Sequence, residues 1–209
     1  MHGGACGLMG RLSNIWKLIL NAMILFAVCA ELCVNGNFRT LGLAYFSIQS
    51  NLLVLVCLVL IIAMPKNWSA KPMLRGISLL AIILTCIVYN FGIYNIFSDW
   101  GTDAYAYAMI VLHIAVPVAY VLDWIFFDVH GSMNWSDMLA WGAYPLCYCC
   151  TSIVVVQKMG HSIYFFFDAS NGSESLALSL ILLVCLGTAV CVSIIGMDKF
   201  LALGSDDER

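Results

Sequence analysis

The stretch YFSIQSNLLVLVCLVLII, residues 45–62, decides the fold class of the protein. Its second half, from Leu52 to Ile62, contains no charged residue, and five other stretches are similarly long and apolar. A helix needs about 20 apolar residues to cross a hydrocarbon core of about 30 Å. We therefore predict an all-α membrane protein, a single domain over residues 1–209 that is a bundle of six transmembrane helices. The expected spans are approximately 15–34, 41–64, 73–97, 105–127, 137–157 and 175–197.

The overall composition agrees with a membrane protein. Of the 209 residues, 63% are hydrophobic and 10% are charged. A soluble domain carries about 25% charged residues, so this chain has too little charge to cover a surface in water. The sequence has no basic patch of the kind that would indicate a nucleic-acid partner. The expected partner is a lipid substrate from the bilayer, and the composition leaves the oligomeric state open.

The distribution of Lys and Arg predicts the orientation. With six spans, both termini lie on the same face of the membrane. That face carries seven of the nine basic residues, and the other carries Arg39 and Lys158. By the positive-inside rule, we predict an integral multi-pass membrane protein with cytoplasmic N- and C-termini. The seven are Arg11, Lys17, Lys66, Lys71, Arg75, Lys199 and Arg209.

The cysteines do not indicate a metal site. Cys147, Cys149 and Cys150 are close in sequence, but residues two apart on a helix do not share a face. We expect them to be small buried hydrophobes. A b-type haem usually needs two axial ligands, and His113 is the only histidine within a span. We therefore expect neither a metal nor a cofactor.

Polar side chains in the second span are the first candidate functional group. Ser47, Ser50 and Asn51 follow the spacing i, i+3, i+4 and share one helix face, whereas Gln49 points elsewhere. If the span begins at Leu41, Ser47 lies about 9 Å below its outer end. One interpretation is interhelical hydrogen bonding, which Ser and Asn commonly provide in membranes. The other is a reactive hydroxyl.

His113 in the fourth span is the second candidate. It lies about 12 Å below the outer end of that span, and a neutral imidazole in a low-dielectric site is a competent proton acceptor. Pro117 removes the N–H that would bond to the His113 carbonyl, so a kink is expected there. A structural histidine is the alternative. Asp123 is about 15 Å further along the helix, too far to orient the ring, and we predict a structural role for it.

The third span and the outer loop add further candidates. Asn90 and Tyr94, at i and i+4, can converge on one ligand, and Tyr89 lies beside them. Asp168 follows an aromatic run in the loop 158–174, where it either covers the cavity mouth or is solvated. For Tyr89, Asn90 and Tyr94 of the third span, the alternative interpretation is a contact between helices in which the side-chain amides are already hydrogen-bonded.

A hydroxyl near an imidazole in a dry cavity is the minimum for acyl transfer. Ser47 is then the nucleophile and His113 the base, and Asn51 or Asn90 supplies hydrogen bonds to the oxyanion. The predicted enzyme is a carboxylic ester hydrolase acting on lipid esters. Two alternatives use the same polar residues: a small-molecule or ion transporter, and a noncatalytic lipid-binding membrane protein.

Five short motifs, YFSIQSNLL, VYN, LHIAVPVAYVLDW, AYPLCY and YFFFD, resemble a bacterial six-span membrane family. That family is similar to the androgen-induced and androgen-dependent tissue-factor-pathway-inhibitor-regulating proteins, which are intramembrane threonine hydrolases of fatty acid esters of hydroxy fatty acids. The resemblance covers about residues 40–170 in order. It implies that the family's threonine nucleophile corresponds to Ser47 and that its intramembrane histidine corresponds to His113.

The chain departs from that family in two places. Serine replaces threonine, and the family's Tyr-Pro-Phe motif before an acid is Tyr164-Phe165-Phe166-Phe167-Asp168 here, without the proline. A shift of one helical turn in the alignment makes Ser50 the alternative nucleophile.

Overall fold

The computed structural model describes residues 2–34, 37–64, 70–93, 104–159, 164 and 173–206. Seven α-helices dominate the described part, which confirms the helical fold class. A two-residue hairpin follows the first helix, with β1 (Cys33–Val34) antiparallel to β2 (Asn37–Phe38). The helices are α1 (His2–Leu32), α2 (Phe46–Ala63), α3 (Lys71–Ile87), α4 (Ala104–Ile110), α5 (Val116–Phe127), α6 (Asp137–Met159) and α7 (Ser173–Asp206).

Two helices continue as π-helical turns. Val88–Ile93 extends α3, and Val111–Ala115 joins α4 to α5, so that residues 104–127 form one continuous helical segment. A π-helical turn inserts an extra residue into the helix and is frequently found at functional sites. Both turns contain candidate residues of the sequence analysis, Tyr89 and Asn90 in the first and His113 in the second.

Five helices in the described part of the chain are long and apolar enough to cross a membrane. The predicted span 137–157 does form a helix, α6, but it is not among the five. Gly142, Tyr144 and Pro145 lie within this helix, and Pro145 is in its interior. The five are Leu8–Leu32, Phe46–Ala63, Lys71–Phe91, Ala106–Phe127 and Glu174–Gly204.

The second helix begins later than the sequence predicts. Thr40–Ala44 form a 3₁₀ helix, and Tyr45 has an extended backbone with a ψ of 134°, so α2 begins at Phe46 rather than at residue 41. Gly42 permits this turn to pack closely, because an added Cβ would lie 2.7 Å from the Leu32 side chain. Ser47 therefore lies in the first turn of α2 rather than six residues after a helix start at Leu41.

The third helix is central to the packing, since it contacts α2, α5, α6 and α7. Leu79, Leu80 and Ile82 of α3 are buried together with Ile48 and Leu58 of α2. Small residues let membrane helices approach closely, and α3 has such a residue, Gly76, where it contacts α6.

The contact between α3 and α6 depends on one glycine. Gly76 faces the indole ring of Trp141, and a Cβ at this position would overlap the ring. Trp141 itself is fully buried.

A buried ionic network joins α1, α3 and α5. Asp123 accepts a hydrogen bond of 2.9 Å from Lys17 and also pairs with Arg75. Arg75 Nε in turn donates to Asp128 at 2.9 Å, and Lys71 lies 3.1 Å from the same carboxylate. Opposite charges satisfy one another here, as buried charges require. Asp123 is fully buried in this network, which agrees with the structural role predicted for it.

The cysteines of α6 are not buried as a group, which corrects the sequence-based expectation. Cys147 and Cys150 are exposed, whereas Cys149 is half-buried and lines the cavity described below. Cys57 and Cys191 are the buried cysteines among those described.

Candidate active site

A cavity of about 630 Å³ lies between α2, α3, the segment around His113, α6 and α7. Its size is within the range of about 300–1,000 Å³ that is typical of small-molecule sites. Leu, Met, Val and aromatic side chains form most of its wall. Ser47, Tyr89 and His113 all line it. The structure therefore brings the predicted nucleophile and the predicted base to one cavity.

The cavity reaches the apolar surface of the bundle. Leu139 and Leu146 of α6 and Val184 of α7 line it, yet they are 86%, 50% and 50% exposed. A wall of exposed leucine and valine is compatible with acyl chains. The cavity therefore opens toward the outer surface of α6 and α7.

The Ser47 side chain lies at the amino end of α2. The first intrahelical hydrogen bond of α2 runs from the Gln49 N–H to the Tyr45 carbonyl at 3.1 Å. The N–H groups of Phe46, Ser47 and Ile48 therefore have no carbonyl partner within the helix. They form the positive end of the helix dipole, which favours negative charge nearby. The nucleophile candidate thus lies beside backbone donors that the sequence analysis did not consider.

Tyr164 holds this helix end in place. Its hydroxyl accepts a hydrogen bond of 3.1 Å from the Phe46 N–H, and its ring makes edge contacts with Tyr45 and Tyr148. Burial raises the pKa of the Tyr164 phenol, so the hydroxyl stays neutral. Tyr164 also lines the cavity. Tyr164 begins the aromatic run of the outer loop, but only Asp168, the acid at the end of that run, was predicted to reach the cavity mouth.

The His113 ring is held in one orientation. Its Nδ1 lies 2.9 Å from the Met109 carbonyl oxygen, and because a carbonyl only accepts, Nδ1 carries the proton. Nε2 is then the proton-accepting nitrogen. The Tyr89 ring stacks on the imidazole with centroids 3.6 Å apart and an interplanar angle of 20°. Within the described residues, no hydrogen bond joins His113 to the Ser47 hydroxyl.

Pro117 removes one backbone donor from the helical segment that carries His113. It has no N–H for the His113 carbonyl at i−4 or for the Leu112 carbonyl at i−5. The Val116 N–H is not a substitute for either of them, since it bonds to the Val111 carbonyl. Both carbonyls accept hydrogen bonds from side chains outside this segment.

Asn51 donates to one of these carbonyls. Its Nδ2 bonds to the Leu112 carbonyl at 3.1 Å and to the Ser47 carbonyl at 2.8 Å. An amide nitrogen has two N–H groups, and both are used here. Asn51 is fully buried and has no donor left for an oxyanion, which corrects the prediction. Interhelical hydrogen bonding, the alternative interpretation, describes its role.

Asn90 donates a hydrogen bond to the second of these carbonyls, that of His113. Its Nδ2 bonds to the His113 carbonyl at 3.1 Å and to the Cys86 carbonyl at 2.7 Å, so both of its N–H groups are also used. The predicted oxyanion role of Asn90 is corrected in the same way. It positions the backbone of the histidine instead.

Ser50 does not line the cavity. Its hydroxyl is fully buried, 2.7 Å from the Thr85 hydroxyl and 3.0 Å from the Ser47 carbonyl oxygen. These contacts favour Ser47 over Ser50 as the nucleophile. Tyr94 and Asp168, the remaining candidates, lie outside the described residues.

Comparison with protein-family models, with curated proteins and with solved structures finds no match for this chain. The geometry itself combines a hydroxyl at a helix amino end, an oriented imidazole and an apolar cavity. These are the components of acyl transfer to a serine.

Proposed function

We propose that this protein is an intramembrane esterase that hydrolyses fatty acyl esters, with Ser47 as the nucleophile and His113 as the general base. The observation that carries the proposal is that both side chains line one largely apolar cavity. A lipid-facing hydrolase needs such a cavity, because its substrate is an acyl chain with a single reactive carbonyl.

In the first step, Ser47 Oγ attacks the ester carbonyl carbon while His113 Nε2 takes the hydroxyl proton. The bond from that carbon to the alcohol oxygen then breaks, and His113 gives its proton to the departing alcohol. An acyl-serine remains. In the second step, water attacks the acyl-serine, His113 takes a proton from the water and returns it to Ser47 Oγ, and a fatty acid leaves.

The negative charge that develops on the carbonyl oxygen needs hydrogen-bond donors. Because the amides of Asn51 and Asn90 are engaged with backbone carbonyls, the first-turn N–H groups of Ile48 and Ser47 are the donors in this mechanism, and the Ser47 N–H exchanges the Tyr164 hydroxyl for the oxyanion. The helix dipole adds to their effect.

No carboxylate is required to orient the base. The Met109 carbonyl sets the tautomer of His113, and the stacked Tyr89 ring sets its plane. Packing therefore replaces the third member of a triad.

The topology that accompanies this function has six spans and cytoplasmic termini. Five spans are the apolar helices described above, and α6 is the additional one. The excess of Lys and Arg on the terminal side supports it. The substrate then enters from the bilayer. The resemblance of the motifs around Ser47 and His113 favours fatty acid esters of hydroxy fatty acids as the substrate class.

Purified protein in detergent micelles tests the proposal. We expect hydrolysis of a long-chain 4-nitrophenyl ester and covalent labelling by a fluorophosphonate. Ser47→Ala should abolish both, and His113→Ala should lower both by about 100-fold or more, the usual contribution of general base catalysis.

Two controls complete the experiment. Ser193→Ala removes an exposed hydroxyl bonded to its own helix, and Ser50→Ala tests the alternative nucleophile. Full turnover in both Ser47→Ala and His113→Ala would refute the proposal.

A noncatalytic lipid-binding protein is the second candidate, favoured by the lack of a hydrogen bond between Ser47 and His113 among the described contacts. It predicts binding of the ester without turnover or labelling. A transporter predicts ester or ion flux into liposomes that is independent of the Ser47 hydroxyl.

A further inference from the structure

Glu31, on α1, is a buried acid that the mechanism above does not use. It lines the same cavity as Ser47 and His113, although it is only 5% exposed. Its Oε2 has no hydrogen-bond partner, and no ion pair joins it to a basic residue of the described chain. A buried polar group without a partner is costly unless a ligand satisfies it.

The position of Glu31 disfavours a negative charge. It is the penultimate residue of α1, where the negative end of the helix dipole opposes an anion. Burial of Glu31 acts against its ionised form more strongly than the attraction of Arg39 favours that form. In this setting, the carboxyl group is an O–H donor rather than a base.

Three other polar side chains of the cavity wall are already committed. The Thr85 hydroxyl bonds to the Ala81 carbonyl, the Tyr148 hydroxyl to the Ala44 carbonyl and the Thr188 hydroxyl to the Val184 carbonyl. Each of these three hydroxyls already donates its proton in a hydrogen bond within the protein. Glu31 is therefore a lining side chain with a donor to offer to a ligand.

We propose that the neutral Glu31 carboxyl group donates a hydrogen bond to a carbonyl oxygen of the bound acyl lipid and thereby holds the ester in the cavity. This inference rests on the proposed function, since it names the residue that binds its substrate. Glu31 is thus a substrate-binding residue, and it takes no part in proton transfer.

Substitutions that separate donation from charge test this role. Glu31→Gln keeps a donor of similar shape without a charge, whereas Glu31→Leu removes the donor. We expect Glu31→Leu to raise KM for 4-nitrophenyl palmitate by about tenfold, equivalent to about 1.4 kcal/mol, and Glu31→Gln to retain most of the wild-type KM. Glu174→Leu, the same change at an exposed glutamate of α7, is the matched control.

Equilibrium binding separates this inference from the proposed function. In Ser47→Ala the ester is not consumed, and adding Glu31→Leu should weaken its binding by about tenfold. If Glu31→Gln is as impaired as Glu31→Leu, the charge rather than the donor matters and the inference is overturned. Unchanged KM and binding in Glu31→Leu would also overturn it. If no variant hydrolyses the ester but binding still depends on Glu31, the proposed hydrolysis fails, and Glu31 is a residue that binds an acyl lipid without turnover.

Discussion

Asn90 on α3 donates a hydrogen bond of 3.1 Å to the carbonyl oxygen of His113, which Pro117 has deprived of its usual helical donor. Asn51 on α2 makes the equivalent bond to Leu112. Amides from two other helices thus fix the backbone that carries the candidate base. An unpaired buried carbonyl would cost about 1–3 kcal/mol, so these bonds stabilise the π-helical turn where it borders the cavity.

Replacing either amide should therefore destabilise the protein. We expect Asn51→Leu and Asn90→Leu each to lower the free energy of unfolding by about 1–3 kcal/mol, because a buried carbonyl loses its donor. Thermal unfolding in detergent micelles measures the change. The control is Thr188→Val, whose hydroxyl bonds only to its own helix. If Asn51→Leu is as stable as this control, the amide does not support the turn.

The stacked Tyr89 ring should affect catalysis more than substrate binding. Tyr89→Leu removes the aromatic partner 3.6 Å from the His113 ring, so the imidazole gains freedom and kcat should fall by about tenfold. Tyr89→Phe keeps the stacking and should retain more activity than Tyr89→Leu. Steady-state kinetics on a long-chain ester distinguishes kcat from KM. Equal losses in the two variants would show that the ring does not act by stacking.

The ionic network should be sensitive to the loss of Asp123. Asp123→Asn leaves Lys17 and Arg75 short of a buried counter-charge, and a broken buried ion pair costs about 3–5 kcal/mol. We expect a lower midpoint of thermal unfolding and poor recovery of folded protein. Glu174→Gln, at an exposed position, is the matched control. A midpoint close to that of the control would mean that the network contributes little to stability.

The contact between Gly76 and Trp141 leaves no room for a side chain. Gly76→Ala should push α3 and α6 apart and destabilise the bundle by about 1–3 kcal/mol, the usual cost of overpacking. Gly196→Ala is the control, since a Cβ there meets no atom within 4 Å. Thermal unfolding and the intrinsic fluorescence of Trp141 report the change. Equal stability of the two alanine variants would contradict the tight packing.

The helical fold class and the pairing of Ser47 with His113 in one cavity were predictable from the sequence. The reason is that hydrophobic length and isolated polar residues are local signals in a membrane helix. Asp123 was likewise recognised as structural, because its distance from His113 along one helix follows from helix geometry alone.

The first turn of α2 and the role of the two asparagines were not predictable in this way. Whether a helix begins at residue 41 or at Phe46 depends on how the 3₁₀ turn packs against α1, through Gly42 and Leu32. Whether an amide faces a ligand or a carbonyl depends on another helix. Glu31 is recognisable in the sequence as an acid within the first apolar stretch. That it lines the cavity depends on how α1 packs against the other helices.

The exposed leucines and valine on the wall of the cavity have a kinetic consequence. A ligand that arrives past Leu146 and Val184 diffuses in two dimensions and never passes through bulk water. For the esterase proposed above, the quantity that saturates the site is the mole fraction of ester within the membrane. Adding inert phospholipid at a fixed amount of ester would then slow turnover by surface dilution, while a larger aqueous volume would leave it unchanged.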